Sequence, residues 1–510
     1  MNRSWRRLKT LSFSQVTSLS FSDSDWEVDS ASLRNALVEG DDKAGEGAGE
    51  GEASLGGLAR EVVRSGAWRM LPLLLILGIC WSMILPAMPN YCTNFFASTS
   101  AAKPLRCEDF LVAEAPPPCV DAHWQCVQYQ SLWQLLINSV LVFTLAPVFG
   151  KLSDRYGRKF FLLLGTLLAA LPVYAFYLMT KGYGNYLVTY PFMSLGTAFG
   201  PLGPALAYVS DLVSKKYRTQ ALSMLLGELF LGVIFGPPLS KLWREETSAI
   251  LACVCATLAI VYALTVPESL REDKREKRHG NDGDGVGGVP AEFPMIRTKS
   301  LKQVMSLARS KFFALMAVIA CIGSMTSEGS QEISAQYLQL VNGFTPDDQA
   351  NLITIIGVMG LLTQFVLVPL LLSWVPPRKE KYLIAGTNFL LIFVNLGIAF
   401  FAANKSVAIC LLSVGFISIL SFSVSTGMLS KAVSERHQGL VTGVISGLRA
   451  QAYGVGPLVY ACLFRLFSST ENKLPYFPGA PFAFSAVMML LASILALLLG
   501  NDEAVIDIED

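Results

Sequence analysis

A ten-residue charged connection, GKLSDRYGRK from Gly150 to Lys159, joins two apolar runs that are each long enough to cross a bilayer. A link that short cannot be a domain, so its aspartate and cations must lie in water at a membrane surface. The same alternation of apolar run and polar connection recurs along most of the chain. Runs near the roughly 20 residues that a spanning helix needs begin close to Leu71, Leu132, Phe160, Tyr186, Ala221, Ile250, Phe312, Leu352, Tyr382, Val407, Leu440 and Phe482. The pattern predicts an all-α membrane protein of about twelve transmembrane helices.

Composition agrees, because 52% apolar and 15% charged residues leave too little polar surface for a soluble chain of this length. A net charge of +1 gives no global field for nucleic acid. The expected partners are the lipid bilayer and a small-molecule substrate, with the chain a monomer. Charge is sorted by position instead. Lys and Arg collect after the second span (Lys151, Arg155, Arg158, Lys159), the fourth (Lys215, Lys216, Arg218), the sixth (Arg271, Lys274, Arg275, Lys277, Arg278) and the eighth (Arg378, Lys379, Lys381). These connections fall on one side, which places both termini in the cytosol. KLWREE after the fifth span is the exception on the other side. Which membrane holds the chain is left open.

Residues 1–66 read as a polar, disordered cytosolic tail rich in Ser and Gly; the opening MNRSWRRLKTLSFSQVTSLSFS also fits an organellar transit peptide. Residues 67–266 form an N-terminal six-helix half and 310–500 a C-terminal one, with an acidic tail at 501–510. Between them, 267–309 is charged and then Gly-rich, the composition of a linker. Within it Leu301, Val304, Met305 and Ala308 share a helical face, read equally as an interfacial helix and as an amphipathic lead-in to the seventh span. The halves echo each other: Gly232, Gly236 and Pro237 in the fifth span answer Gly447, Gly454, Gly456 and Pro457 in the eleventh. Equivalent places in a repeat would give each half a helix able to flex at Gly236 and Pro237 or Gly456 and Pro457; close packing explains the glycines as well.

Cys92, Cys107, Cys119 and Cys126 fall in one long loop on the predicted non-cytosolic side, where an even set implies disulfides with three possible connectivities. A zinc site from Cys119, His123 and Cys126 is conceivable by ligand type, but the spacing matches no common finger, and no metal is assigned. Asn404, Lys405 and Ser406 form a glycosylation sequon close to a span. No phosphate-binding lysine motif, paired metal-ligand motif or nucleophile elbow is present, so neither an enzyme nor a cofactor is expected.

Ionisable groups inside spans are costly, and so are functional candidates. The seventh span carries Glu328 and Glu332 one turn apart, with Gln331 and Gln336 extending the stripe. Its functional reading is a cavity wall where a desolvated carboxylate exchanges protons and Gln bonds a solute; solvation of Glu332 and Gln336 near the outer surface is the plainer one. Glu228 in the fifth span and Arg449 in the eleventh are further candidates. Arg449 keeps its charge and needs a carboxylate, carbonyls, water or an anionic substrate as partner. Gln364 in the eighth span and Tyr453 in the eleventh are weaker cavity candidates.

GKLSDRYGRK closely resembles the signature motif of the major facilitator superfamily, and the likeness extends over most of the chain after Arg69. AYVSDLVSKKYRTQALSM, VPESLRE, TSEGSQE and GLVTGVISGLRAQAYGVGPLVYACLF resemble the hippocampus abundant transcript-like transporters and, more distantly, tetracycline-resistance efflux proteins. The resemblance implies a conformational latch. In it Gly150 and Gly157 permit close contact and a tight turn, Asp154 holds the start of the third span and meets the other half, and Arg158 completes the charged set. GVIFGPPLS resembles part of an antiporter motif, but Ser240 and Lys241 stand where that motif has glycines. SWVPPRKEK keeps basic charge without the glycine and aspartate of a second signature loop, which implies an asymmetric latch.

The reading is a secondary transporter of a small organic solute working by alternating access, with protons as the candidate coupling ion. A drug or metabolite efflux antiporter is the nearest alternative, and a non-transporting receptor or trafficking factor on the same fold is another.

Overall fold

The structure, a computed structural model, describes residues 55–110, 114–269, 310–376, 379–431, 438–469 and 475–499. The described residues contain helices and no strand. This follows from the sequence, since a chain crossing hydrocarbon must satisfy its backbone polar groups within each segment.

The helical segments are α1 (Ala67–Ala101), α2 (117–156), α3 (Arg158–Thr180), α4 (186–212), α5 (Lys215–Lys241), α6 (Glu245–Thr265), α7 (Lys311–Asn342), α8 (346–374), α9 (Glu380–Phe401), α10 (405–431), α11 (Gln438–Ser468) and α12 (Ala480–Leu497). Among the described residues, nine are long and apolar enough to cross a membrane; α2, α4 and α11 complete the alternation. α6 shows how sequence sets packing. Ala249, Ala252, Ala256, Ala259 and Ala263 form a buried small-residue stripe, while Ile250, Val254, Leu258, Val261 and Leu264 stay exposed on the opposite face. Small residues let α6 approach α1 and α3 closely, and the bulky face is left to lipid.

α1–α6 and α7–α12 form two halves built alike. In the first, α5 packs on α1 and α6 on α3; in the second, α11 packs on α7 and α12 on α9. Across the interface α5 meets α8 and α11 meets α2. Glycines make the internal contacts: a Cβ on Gly232 would stand 2.7 Å from Gly78 Cα of α1, and one on Gly456 2.7 Å from Met325 O of α7. The repeat reaches helix irregularities too. α2 and α8, each the second helix of its half, carry π-helical segments at Leu135–Val142 and Thr363–Leu367, a feature often found at functional positions.

Two expectations change and a third becomes specific. The stretch assigned to a disordered tail includes a helix, Leu55–Ser65, because Leu58 and Val62 lie one turn apart and bury their side chains on the first half's core. The cysteine-bearing loop is largely helix: Cys92 lies in α1, and Cys119, His123 and Cys126 lie in α2, which starts at Pro117 and not near Leu132. Pro at the first turn starts that helix well, which explains why polar residues precede its apolar run. Finally, the cysteines pair as Cys92–Cys126 and Cys107–Cys119, so Cys119 and Cys126 are engaged with different partners. The interfacial-helix candidate at 301–309, most of the linker and the acidic tail lie outside the described residues.

The apolar cores show where the halves join. One cluster unites Val127 of α2 with Ile333, Tyr337, Tyr460 and Phe464 of the second half, at the end that carries the disulfides. Toward the opposite end, the cores of the two halves are separate clusters.

Candidate functional site

At the end opposite the disulfides, Gly157 turns the chain from α2 into α3 with φ 109° and ψ 157°, a conformation that side chains with a Cβ avoid. This single-residue turn puts the start of α3 beside the chain leaving α6. Glu268 Oε1 accepts from the Arg158 amide at 2.8 Å and its Oε2 from the Lys159 amide at 3.1 Å. A carboxylate there satisfies orphan amides and complements the helix dipole. Arg158 is buried, and its Nε donates to Asp211 Oδ2 at 3.0 Å while Nη1 donates to Ser153 Oγ at 3.1 Å. Lys159 Nζ closes the set on Leu264 O at 2.8 Å. Gly150 and Asp154 lie on α2, and the side chain of Asp154 is outside the described set. Glu268 thus caps α3. Glu268 and Asp211 were legible in VPESLRE and AYVSDLVSKKYR but were not singled out.

Mid-membrane, α7 presents Glu328 and Glu332 one turn apart. Glu332 Oε1 accepts from Tyr190 of α4 at 2.9 Å, a bond between the halves. Behind it stands a relay on the first half: Asn138 Nδ2 donates to Gln134 Oε1 at 2.6 Å, and Gln134 Nε2 donates to Tyr190 Oη at 3.3 Å. Each donor points toward the Glu332 carboxylate, so the bonds polarise one another in one direction. Gln130 Nε2 bonds Tyr186 Oη at 2.7 Å, and Tyr129, Tyr186 and Tyr190 pack as an aromatic wall. The residues Gln130, Gln134 and Asn138 recur every fourth position on α2. That helical stripe is visible in the sequence but carries no charge to mark it.

Arg449 of α11 is 8% exposed. Its guanidinium stacks at 4.0 Å on the Phe422 ring of α10, and Nη1 donates to Thr426 Oγ1 at 3.3 Å. Tyr453 lies one turn along α11 from Arg449. Gln331 is exposed on α7. Glu228 and Gln364 are not part of this group. They sit where α5 crosses α8, with Gly227 against the Phe365 ring, and Glu228 Oε2 is buried without a partner among the described residues.

Toward the disulfide end the halves are bonded shut. Gln336 Oε1 accepts from Thr93 at 3.0 Å and lies 2.7 Å from His123 Nδ1, its Nε2 donates to Pro89 O at 3.3 Å, and Gln339 Nε2 donates to Asn90 Oδ1 at 2.5 Å. Gln336 is therefore a buried seam residue. Ser131 Oγ donates to Pro457 O at 3.0 Å across the same interface. Gly236 and Gly456 are closely packed points in continuous helices, against α1 and α7 respectively. A shallow cleft of about 560 Å³ beside Tyr91, Asn94, Lys103 and Met179 also lies at this end and does not include the α7 carboxylates.

The family model for the Major Facilitator Superfamily matches residues 127–457. Among curated proteins, the mouse (Mus musculus) hippocampus abundant transcript 1 protein is 24% identical over 387 residues, covering 71% of this chain and 75% of its own length. The structure of the human organic anion transporter MFSD10 (TETRAN) has a TM-score of 0.55 at 18% identity, over 85% of this chain and 99% of that one. A D-xylose-proton symporter gives 0.60 at 11%, over 85% and 97%. At those identities the structural likeness speaks for the fold alone.

Proposed function

Because this chain belongs to the major facilitator superfamily, we propose that it is a secondary transporter that moves a small organic solute by alternating access, coupled to protons through the α7 carboxylates. Family and fold point to a membrane transporter and not to an enzyme. The finer reading is carried by one observation: Glu332, beside Glu328, is bonded across the halves to Tyr190. A carboxylate at the moving interface senses both the conformation and its own charge, since the bond to Tyr190 must break when the halves part at that level. Of the two solved neighbours, one is an organic anion transporter and the other a D-xylose-proton symporter; both act on solutes small enough for a midplane site.

The halves correspond to 67–266 and 310–500, joined by 267–309. The disulfide end faces an oxidising, non-cytosolic space, and the end bearing Arg158 and Lys159 faces the cytosol. On that orientation the seam through Gln336 is the outer gate, and the conformation is closed to the outside. After reduction, Cys107 and Cys119 in sealed vesicles of known sidedness will react with a membrane-impermeant maleimide only from the non-cytosolic face; reaction from the cytosolic face would reverse the orientation.

The main test is reconstitution of the full chain into liposomes supplied with a cell-extract solute pool, with and without an imposed pH gradient. Mass spectrometry of the lumen will show at least one solute accumulating above empty liposomes, and more so with the gradient. Accumulation that ignores the gradient would remove proton coupling, and no accumulation of any solute would remove transport.

A further inference from the structure

Arg449 is held in a way that a structural arginine is not. A guanidinium keeps its charge in proteins and offers five N–H donors in a planar fork. Among the described residues it makes one hydrogen bond, from Nη1 to Thr426, and Nε is buried with no partner. No carboxylate among the described residues forms an ion pair with it. A buried arginine serving only the fold would be matched by a carboxylate or by backbone carbonyls, because an uncompensated buried charge is destabilising.

The contacts that do exist leave the group ready for a ligand. Stacking on Phe422 occupies a flat face of the guanidinium and leaves its N–H edges free. Phe422 and Thr426, one turn apart on α10, are both exposed. A face in the middle of a span that carries a guanidinium cannot turn to hydrocarbon, so it looks into the space between the halves. An edge-on guanidinium beside a hydroxyl matches a planar carboxylate through two parallel hydrogen bonds. With a single cation at the site, one negative charge is balanced and a phosphate dianion is not.

Resting on the transport reading above, we propose that Arg449 anchors the anionic group of the cargo, and that the cargo is a small organic carboxylate. Phe422 holds the guanidinium in plane and Thr426 orients it.

The test uses the purified full chain in neutral detergent, with carboxylates paired to their uncharged amides (benzoate and benzamide, salicylate and salicylamide, lactate and lactamide) and with inorganic phosphate. At least one carboxylate will raise the unfolding midpoint while its amide and phosphate do not. Arg449→Lys, which keeps charge but loses the fork, will weaken that carboxylate about tenfold, and Arg449→Gln about a hundredfold. Should Arg449→Gln fail to fold, the Lys variant decides alone. The proposal is overturned if no carboxylate outperforms its amide, if phosphate stabilises as well, or if Arg449→Lys binds like the wild type. Binding in detergent without uptake into liposomes would remove the transport reading and keep the site. Uptake of a solute unaffected by Arg449→Lys would do the reverse.

Discussion

Lys159 at the start of α3 and Lys381 at the start of α9 occupy equivalent places in the two halves, and they make the same bond. Lys159 Nζ donates to Leu264 O at the end of α6, and Lys381 Nζ to Leu499 O just past the end of α12, at 2.8 and 2.6 Å. Around Lys159 the first half adds Glu268 on two amides and the Arg158–Asp211 pair. Around Lys381 the aspartate and glycine of the loop are missing, and the neighbouring Glu380 at the start of α9 is buried and engaged in its own contact. Mid-membrane the balance is reversed: the first half offers tyrosines and amides from α2 and α4, while the second supplies Glu328, Glu332 and Arg449. One half is uncharged at the site; the other carries the charge. The division suits a machine in which protonation and cargo binding act through the second half.

The largest effect that would break this comparison is chemical. Glu328→Gln will reduce gradient-driven accumulation to the level of empty liposomes while leaving solute exchange, because the amide mimics a carboxyl that cannot release its proton. Gln134→Ala, on the uncharged wall, will lower uptake by no more than about fivefold, the value of a single hydrogen bond. If Gln134→Ala proved as damaging as Glu328→Gln, the chemistry would belong to both halves.

The bracing can be tested by stability. Arg158→Met leaves Asp211 without its mostly buried partner and will cost about 3 kcal/mol. Lys381→Met removes one charge-assisted bond to a carbonyl and will cost about 1.5 kcal/mol. Unfolding of the two variants in detergent will rank them in that order; equal losses would mean that the second half is latched as firmly as the first, through groups other than Lys381.

The fold was legible because lipid leaves a helix no alternative: apolar length and cation placement located the spans, with α2 misread only where polar, cysteine-bearing turns extend it beyond its apolar run. The glycine echo between α5 and α11 also marked the repeat, although the contacts at Gly232 and Gly456 speak for close packing there. The site was harder to read. Glu328, Glu332 and Arg449 stood out as charges in apolar surroundings, but nothing local shows that Glu332 meets Tyr190 or that Glu228 stands apart on another seam; those are facts of helix packing. Glu268 stood in view in VPESLRE, but its role as a cap did not, since the amides it meets lie 110 residues away. Likewise, His123 looked like a loop residue until its helix brought it to Gln336.

The smallest effect sharpens the comparison most, because it concerns the bond that joins the two walls. Tyr190→Phe keeps the ring in the Tyr129 and Tyr186 stack and removes only the hydroxyl that Glu332 accepts from. Losing one such bond is worth about 1 kcal/mol, or about a fivefold shift between conformations, toward the state open at the disulfide end. Hydrogen exchange along the second part of α7, around Gln336 and Gln339, will rise accordingly. Glu332→Gln will act in the same direction, and the double variant will fall short of the sum by about 1 kcal/mol if the two side chains act through each other. Additive effects would mean that the relay from Asn138 through Gln134 and Tyr190 ends on the carboxylate without holding the halves together. The seam at Gln336 would then be the whole of the gate.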